Sequence, residues 1–235
     1  MENMENMQEY LKPTDIIDSE NEIVVEYMRG ILGKDDEYEY TPREKAIKLY
    51  LHVRDDIKYN PYLPFYKPEH YRSSNVIKSK EGFCIGKAGL LCALARRSGI
   101  PARVGFATVK NHLTTKQLKE FLGTDIITYH GYTELWLDEK WVKATPAFNA
   151  GLCALHKVAP LEFDGINDSI FHEFNSEKSR FMEYVDYHGE FSDIPLDIIL
   201  ESWRDIYGEE RVDAWIKLIE NAEEKKRDFM KEDII

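Results

Sequence analysis

The fold turns on residues 81–109, "EGFCIGKAGLLCALARRSGIPARVGFATV". Gly82 marks a turn, and the run from about Cys84 to Ser98 is largely apolar, which predicts a buried helix stopped by Gly99 and Pro101. Residues 102–109, "ARVGFATV", then read as a strand. Cys84 falls in the first helical turn, where unpaired backbone N–H groups and the positive end of the dipole favour a thiolate. Gly86 and Ala88 keep that turn sterically open, so the thiol sits on a rigid support at the edge of a core. Placement alone also fits a small structural thiol, the common fate of a free cysteine. Cys92, mid-helix between leucine and alanine, reads as core.

Around this segment lie 235 residues, enough for one large domain or one domain with an added subdomain. Hydrophobic residues at 43% and charged residues at 31% describe a globular chain rather than a disordered one. A net charge of −12 argues against nucleic acid or an anionic membrane as the main partner. No apolar run approaches the ~18 residues of a membrane span, and "MENMENMQEY" lacks the regions of a signal peptide. Cysteines at 84, 92 and 153 are odd in number and make a poor disulfide framework, so a reduced, cytoplasmic protein is expected.

Residues 1–20 read as a loose leader, followed by a helix capped by Asp18 that runs through "NEIVVEYMRGIL" to Gly33. In "TPREKAIKLYLHVRDDI", Thr41 is a cap, Pro42 the first helical residue and Glu44 the reciprocal partner of the cap. Residues 58–74, with three prolines and four tyrosines, predict a long irregular loop, a kind often given to function. "TYHGYTELWL" and "KWVKAT" predict two strands joined at Asp138–Glu139; a two-residue turn there pairs Leu137 with Lys140 and therefore Tyr132 with Thr145. Loops and polar turns follow residue 150, and then two amphipathic helices separated at Gly208. Helices first, a cysteine helix, then strands close in sequence predict α+β with an antiparallel sheet.

A nucleophilic cysteine needs a base, and seven histidines are available. His52 reads as surface, His112 as a loop residue that could line a cleft, and His70, His156, His172 and His188 occupy polar or irregular stretches. Cys153 and His156 have a C-x-x-H spacing with no second pair to complete a metal site. His130 shares a strand face with Tyr132, Glu134 and Trp136, and the hairpin register sets Thr145 one diagonal away on that face.

Gly82-Phe83-Cys84 at a helix start, "GIPARV", His130-Gly131-Tyr132-Thr133-Glu134, Trp141-Val142 and Thr145-Pro146 together resemble the transglutaminase-like superfamily of papain-like cysteine enzymes. The likeness spans roughly residues 42–150, and "NHL" and "ATPAFN" are similar to prokaryotic members. The resemblance implies a transglutaminase-core fold, with a cysteine-bearing helix packed on an antiparallel sheet. That core and its N-terminal helices would fill residues 1–150, with 151–235 a C-terminal extension packed on it. It also implies a Cys–His–Asp triad that attacks an amide carbonyl, onto which Cys84 and His130 carry over. The position of the Asp holds Thr145, a neutral acceptor able to orient the imidazole but not to stabilise its charge. Asn149 and Glu134 are alternatives, Glu134 lying farther from His130. The expected oxyanion donors are the Cys84 N–H and one unidentified group. The expected activity is peptidase or amidase hydrolysis, or acyl transfer, on a peptide, protein or small amide, without cofactor or metal. The rival from another class is a catalytically silent scaffold that binds a peptide or protein in the same cleft. A third reading is a thiol redox sensor using Cys153.

Overall fold

The protein is described by a computed structural model, over residues 4–33, 39–111, 115–170, 182–221 and 229–232. The helices among these are α1 (Met4–Glu9), α2 (Glu22–Leu32), α3 (Pro42–Asp56), α4 (Ser73–Ser79), α5 (Cys84–Arg97), α6 (Lys116–Leu122), α7 (Ala150–Leu155), α8 (Leu196–Tyr207) and α9 (Glu209–Glu220). The strands are β1 (Lys58–Tyr59), β2 (Glu81–Gly82), β3 (Ala102–Asn111), β4 (Ile126–Leu137), β5 (Lys140–Ala144) and β6 (Met182–Phe191). Four of them form an antiparallel sheet in the order β5-β4-β3-β6, so the architecture is α+β as the sequence implies.

Helix α5 is the axis of the core, buried from Cys84 to Arg96, which is why its apolar residues show no single face. Strand β4 packs on it through close approaches. Thr133 Oγ1 donates to the Ala88 carbonyl at 2.9 Å, and a Cβ on Gly131 would stand 2.9 Å from Ile85 Cα. Helix α3 begins with the expected capping box, Thr41 and Glu44 exchanging bonds ahead of Pro42. The cap of α2 is Asn21, whose side chain accepts from the Ile23 N–H; Asp18 instead accepts from the Ser74 N–H, tying the leader to α4. The leader itself is not loose, since Ile16 and Ile17 are buried in the core. The irregular segment after α3 contains β1 and a 3-10 turn, Pro68–His70, and α4 already begins at its end.

The β4–β5 hairpin has the expected register, with Leu137 opposite Lys140 and Thr133 opposite Ala144. Asp138 and Glu139 take φ of 48° and 63°, the paired left-handed conformation a tight hairpin needs despite unfavourable residue types, and Arg43 bonds the Asp138 carboxylate. Past residue 150 the chain forms α7 and β6, neither expected, before the two amphipathic helices that were. Their described part ends at Asn221.

Lys87 lies within α5 with its ammonium buried, donating to the Arg54 and Ile57 carbonyls at 2.9 and 2.6 Å. A cation thus meets the C-terminal carbonyls of α3, where the helix dipole favours it, while burial pushes its pKa from 10.5 down to about 7. Lys87→Met is expected to lower the unfolding free energy by ~1–3 kcal/mol in urea melts, because two buried carbonyls lose their donor. The unfolded chain binds a proton between pH 10.5 and about 7 that folded Lys87 does not, so this group makes stability rise with pH across that window. Above ~8.5 the three buried thiols oppose the trend. The variant should therefore lose slope between pH 7 and 8.5.

Candidate active site

Cys84 is the first residue of α5, buried to 4% exposure at the point where β4 crosses the helix start. The chain reaches it through β2, which pairs in parallel with β1 and sets Lys58 against Glu81 and Tyr59 against Gly82. Burial pushes the thiol up to about 11, opposed by the backbone N–H groups of Gly131, Ile85 and Cys84 itself. The helix start therefore acts in the expected direction but is outweighed by loss of water. Cys92 and Cys153 are pushed up to about 11 by burial as well, so basicity does not single out Cys84. Its position does.

His130 immediately precedes Gly131, whose N–H faces the sulfur, and it is buried to 1% exposure opposite Ala107 of β3. Burial lowers its pKa to about 4, so thiol and imidazole are both neutral at rest. No hydrogen bond joins the sulfur to the ring among the described contacts. Between the pairs Ala107↔His130 and Val109↔Ile127, β4 carries one more residue than β3, and Tyr129 absorbs it at φ 53°. Such a bulge changes where the following side chains aim, and here it directly precedes the histidine. Tyr129 is held by His188 of β6, the rings stacked at 4.3 Å and 4°.

Thr145 lies just beyond β5, where continuation of the hairpin register sets it opposite Tyr132. It is buried, its carbonyl accepts from Tyr50 Oη at 3.2 Å, and its hydroxyl has no hydrogen-bond partner among the described residues. The Asn149 side-chain oxygen is likewise buried and unbonded ahead of α7. Glu134 is committed elsewhere, to Arg103 at 2.7 Å. His52 is exposed and bonds Asp56, as a surface histidine does; His112 and His172 lie outside the described residues.

A cavity of about 60 Å³ opens at Cys84 between the β1 loop, β4, α6, α8 and α9. Tyr59, Phe83, Phe121, Trp203, Tyr207 and Trp215 supply its aromatic walls. The prolines-and-tyrosines segment lines this cavity through Tyr59, Pro61 and Phe65. The part played by the C-terminal helices was not legible, because Trp203, Tyr207 and Trp215 read as ordinary members of amphipathic faces. Cys153 and His156 line a second, smaller cavity of about 20 Å³ beyond Tyr59. Among the described residues no three His, Cys, Asp or Glu side chains converge to hold a metal, and no helix is long and apolar enough to cross a membrane.

The sequence profile of the Transglutaminase-like superfamily matches residues 28–146. Among solved structures, one from Cytophaga hutchinsonii described as a "putative cysteine protease" superposes with a TM-score of 0.46 at 14% identity, covering 81% of this chain. The chain spans 55% of that structure's length. Comparison with curated protein sequences finds no match.

Proposed function

This chain belongs to the transglutaminase-like superfamily, and on that basis we propose that it is a cysteine enzyme acting on amide bonds, with Cys84 as nucleophile and His130 as proton carrier. The observation that supports this most is the position of the thiol. It stands at the start of the core helix, against the peptide that follows His130, and faces a cavity able to admit a substrate.

Because both groups rest neutral, His130 acts as a general base during attack rather than as half of a preformed ion pair. The sulfur bonds to the carbonyl carbon as its proton passes to the imidazole. The tetrahedral oxyanion is met by N–H groups at the helix start. The carbon–nitrogen bond then breaks, the imidazolium gives its proton to the leaving amine, and a thioester remains on Cys84. Water, or an amine in acyl transfer, releases it. Hydrolysis of a peptide or small amide is the preferred outcome, and Thr145 takes the third position as a neutral neighbour of the ring.

Iodoacetamide labelling mapped by mass spectrometry tests the pair. Cys84 should label at least tenfold faster than Cys92 at pH 7.5, and His130→Ala should reduce Cys84 labelling by ~10²–10⁴ as the thiol loses its base. Cys84 labelling no faster than Cys92 would remove the catalytic reading. A second reading, a silent scaffold binding a peptide in the same cleft, is favoured by Thr145 in place of a carboxylate and by the neutral resting pair.

A further inference from the structure

Resting on the amide-bond reading, we infer that the cavity beside Cys84 is a specificity pocket for one medium-sized, branched apolar side chain, carried by the substrate residue whose carbonyl the thiol attacks. Three observations point to that occupant. None of the described residues lining the cavity carries a charge, so a charged side chain would be desolvated there without a partner among them. Two of its wall polar groups are already engaged: Tyr207 Oη accepts from the Thr128 N–H at 3.1 Å and donates to the Ile126 carbonyl at 3.2 Å, and the Thr128 hydroxyl bonds Thr108 at 3.2 Å. A polar guest would gain little from them.

Size supplies the third observation. At roughly 10–15 Å³ for each water-sized probe, a cavity of about 60 Å³ is nearer to the four carbons of a leucine or isoleucine side chain than to the seven of a phenylalanine. The wall is firm enough to enforce this, since Phe121 stacks on Trp215 at 4.8 Å and the Trp215 indole N–H is fixed to the Phe121 carbonyl at 2.8 Å. Trp203, Tyr207 and Trp215 all lie beyond residues 28–146, so this wall belongs to the chain's own C-terminal helices and not to the segment matched by the family.

N-acetyl-aminoacyl chloromethyl ketones, which alkylate a thiol with loss of chloride, test the pocket when their rates of Cys84 labelling are compared. The leucine reagent should outrun the glycine reagent by about tenfold or more, with the aspartate and lysine reagents slower still. Trp203→Phe, checked for folding by circular dichroism, should move the preference from the leucine toward the phenylalanine reagent. A readout independent of thiol chemistry uses Cys84→Ala, in which N-acetyl-leucinamide should shift tryptophan emission saturably and N-acetylglycinamide should not. Labelling of Cys84 at one rate by every reagent overturns the pocket while leaving the nucleophile intact. Labelling by none of them, with the emission shift present, supports the pocket and removes the catalytic reading. Loss of both signals overturns both.

Discussion

Cys84→Ala is expected to abolish turnover of N-acetyl-leucine p-nitroanilide, a fall on the order of 10⁴–10⁶, with the fold kept. Under the proposed mechanism, removing the nucleophile leaves only binding and oxyanion stabilisation, which accounts for the size of the loss. The change is small structurally, since Cys84 is one of many buried residues along α5 and alanine fits a helix well. Cys92→Ala, eight positions further along the same buried helix, should leave turnover unchanged. Equal turnover by Cys84→Ala and the native chain would show that the thiol does not attack.

Gly131→Ala should be strongly destabilising, for reasons that lie outside catalysis. The added Cβ would stand 2.9 Å from Ile85 Cα, 3.2 Å from Ile85 N and 3.3 Å from the Cys84 carbonyl oxygen. All three are backbone atoms, so no rotamer can yield, and β4 must part from α5. A cost of ~1–3 kcal/mol or more follows from overpacking of this kind, readable as a lower urea midpoint. The same displacement moves the peptide beside Cys84, so labelling of the thiol should change as well. Gly86→Ala is the internal control. There the new methyl would meet Val76 Cγ2 at 3.5 Å, an ordinary contact, and a helical glycine replaced by alanine gains up to ~1 kcal/mol, less in the first turn. Opposite signs for the two variants are expected.

Much of the framework could be read before any coordinates because it depends on local chemistry. Thr41, Pro42 and Glu44 announce the start of α3, and Asp138–Glu139 fixes the hairpin register that extends to Thr145. The misassignments arise where tertiary contacts choose between local options. Asp18 and Asn21 are both competent caps, and the choice falls to Asn21 because Asp18 is taken by Ser74. Strand β6 escaped notice because two register shifts against β3 break its alternation and its outer residues Val185, Asp186 and Tyr187 are exposed. At the site, the glycine-flanked Cys84 and the strand-borne His130 stand out from sequence. The balance between helix dipole and burial does not, because it depends on how much protein covers the thiol, and here burial prevails.

The cavity wall also has a bearing on the order in which the chain matures. Helix α5 is made early in synthesis, whereas Trp203, Tyr207 and Trp215 emerge far later. Until they dock, one wall of the cavity at Cys84 is absent, and part of the burial that keeps the thiol neutral is missing. A nascent chain released at residue 195 would therefore carry a more acidic, more oxidisable Cys84 than the finished protein. Arrival of α8 and α9 does double duty: it completes a pocket and helps take a vulnerable sulfur out of solvent.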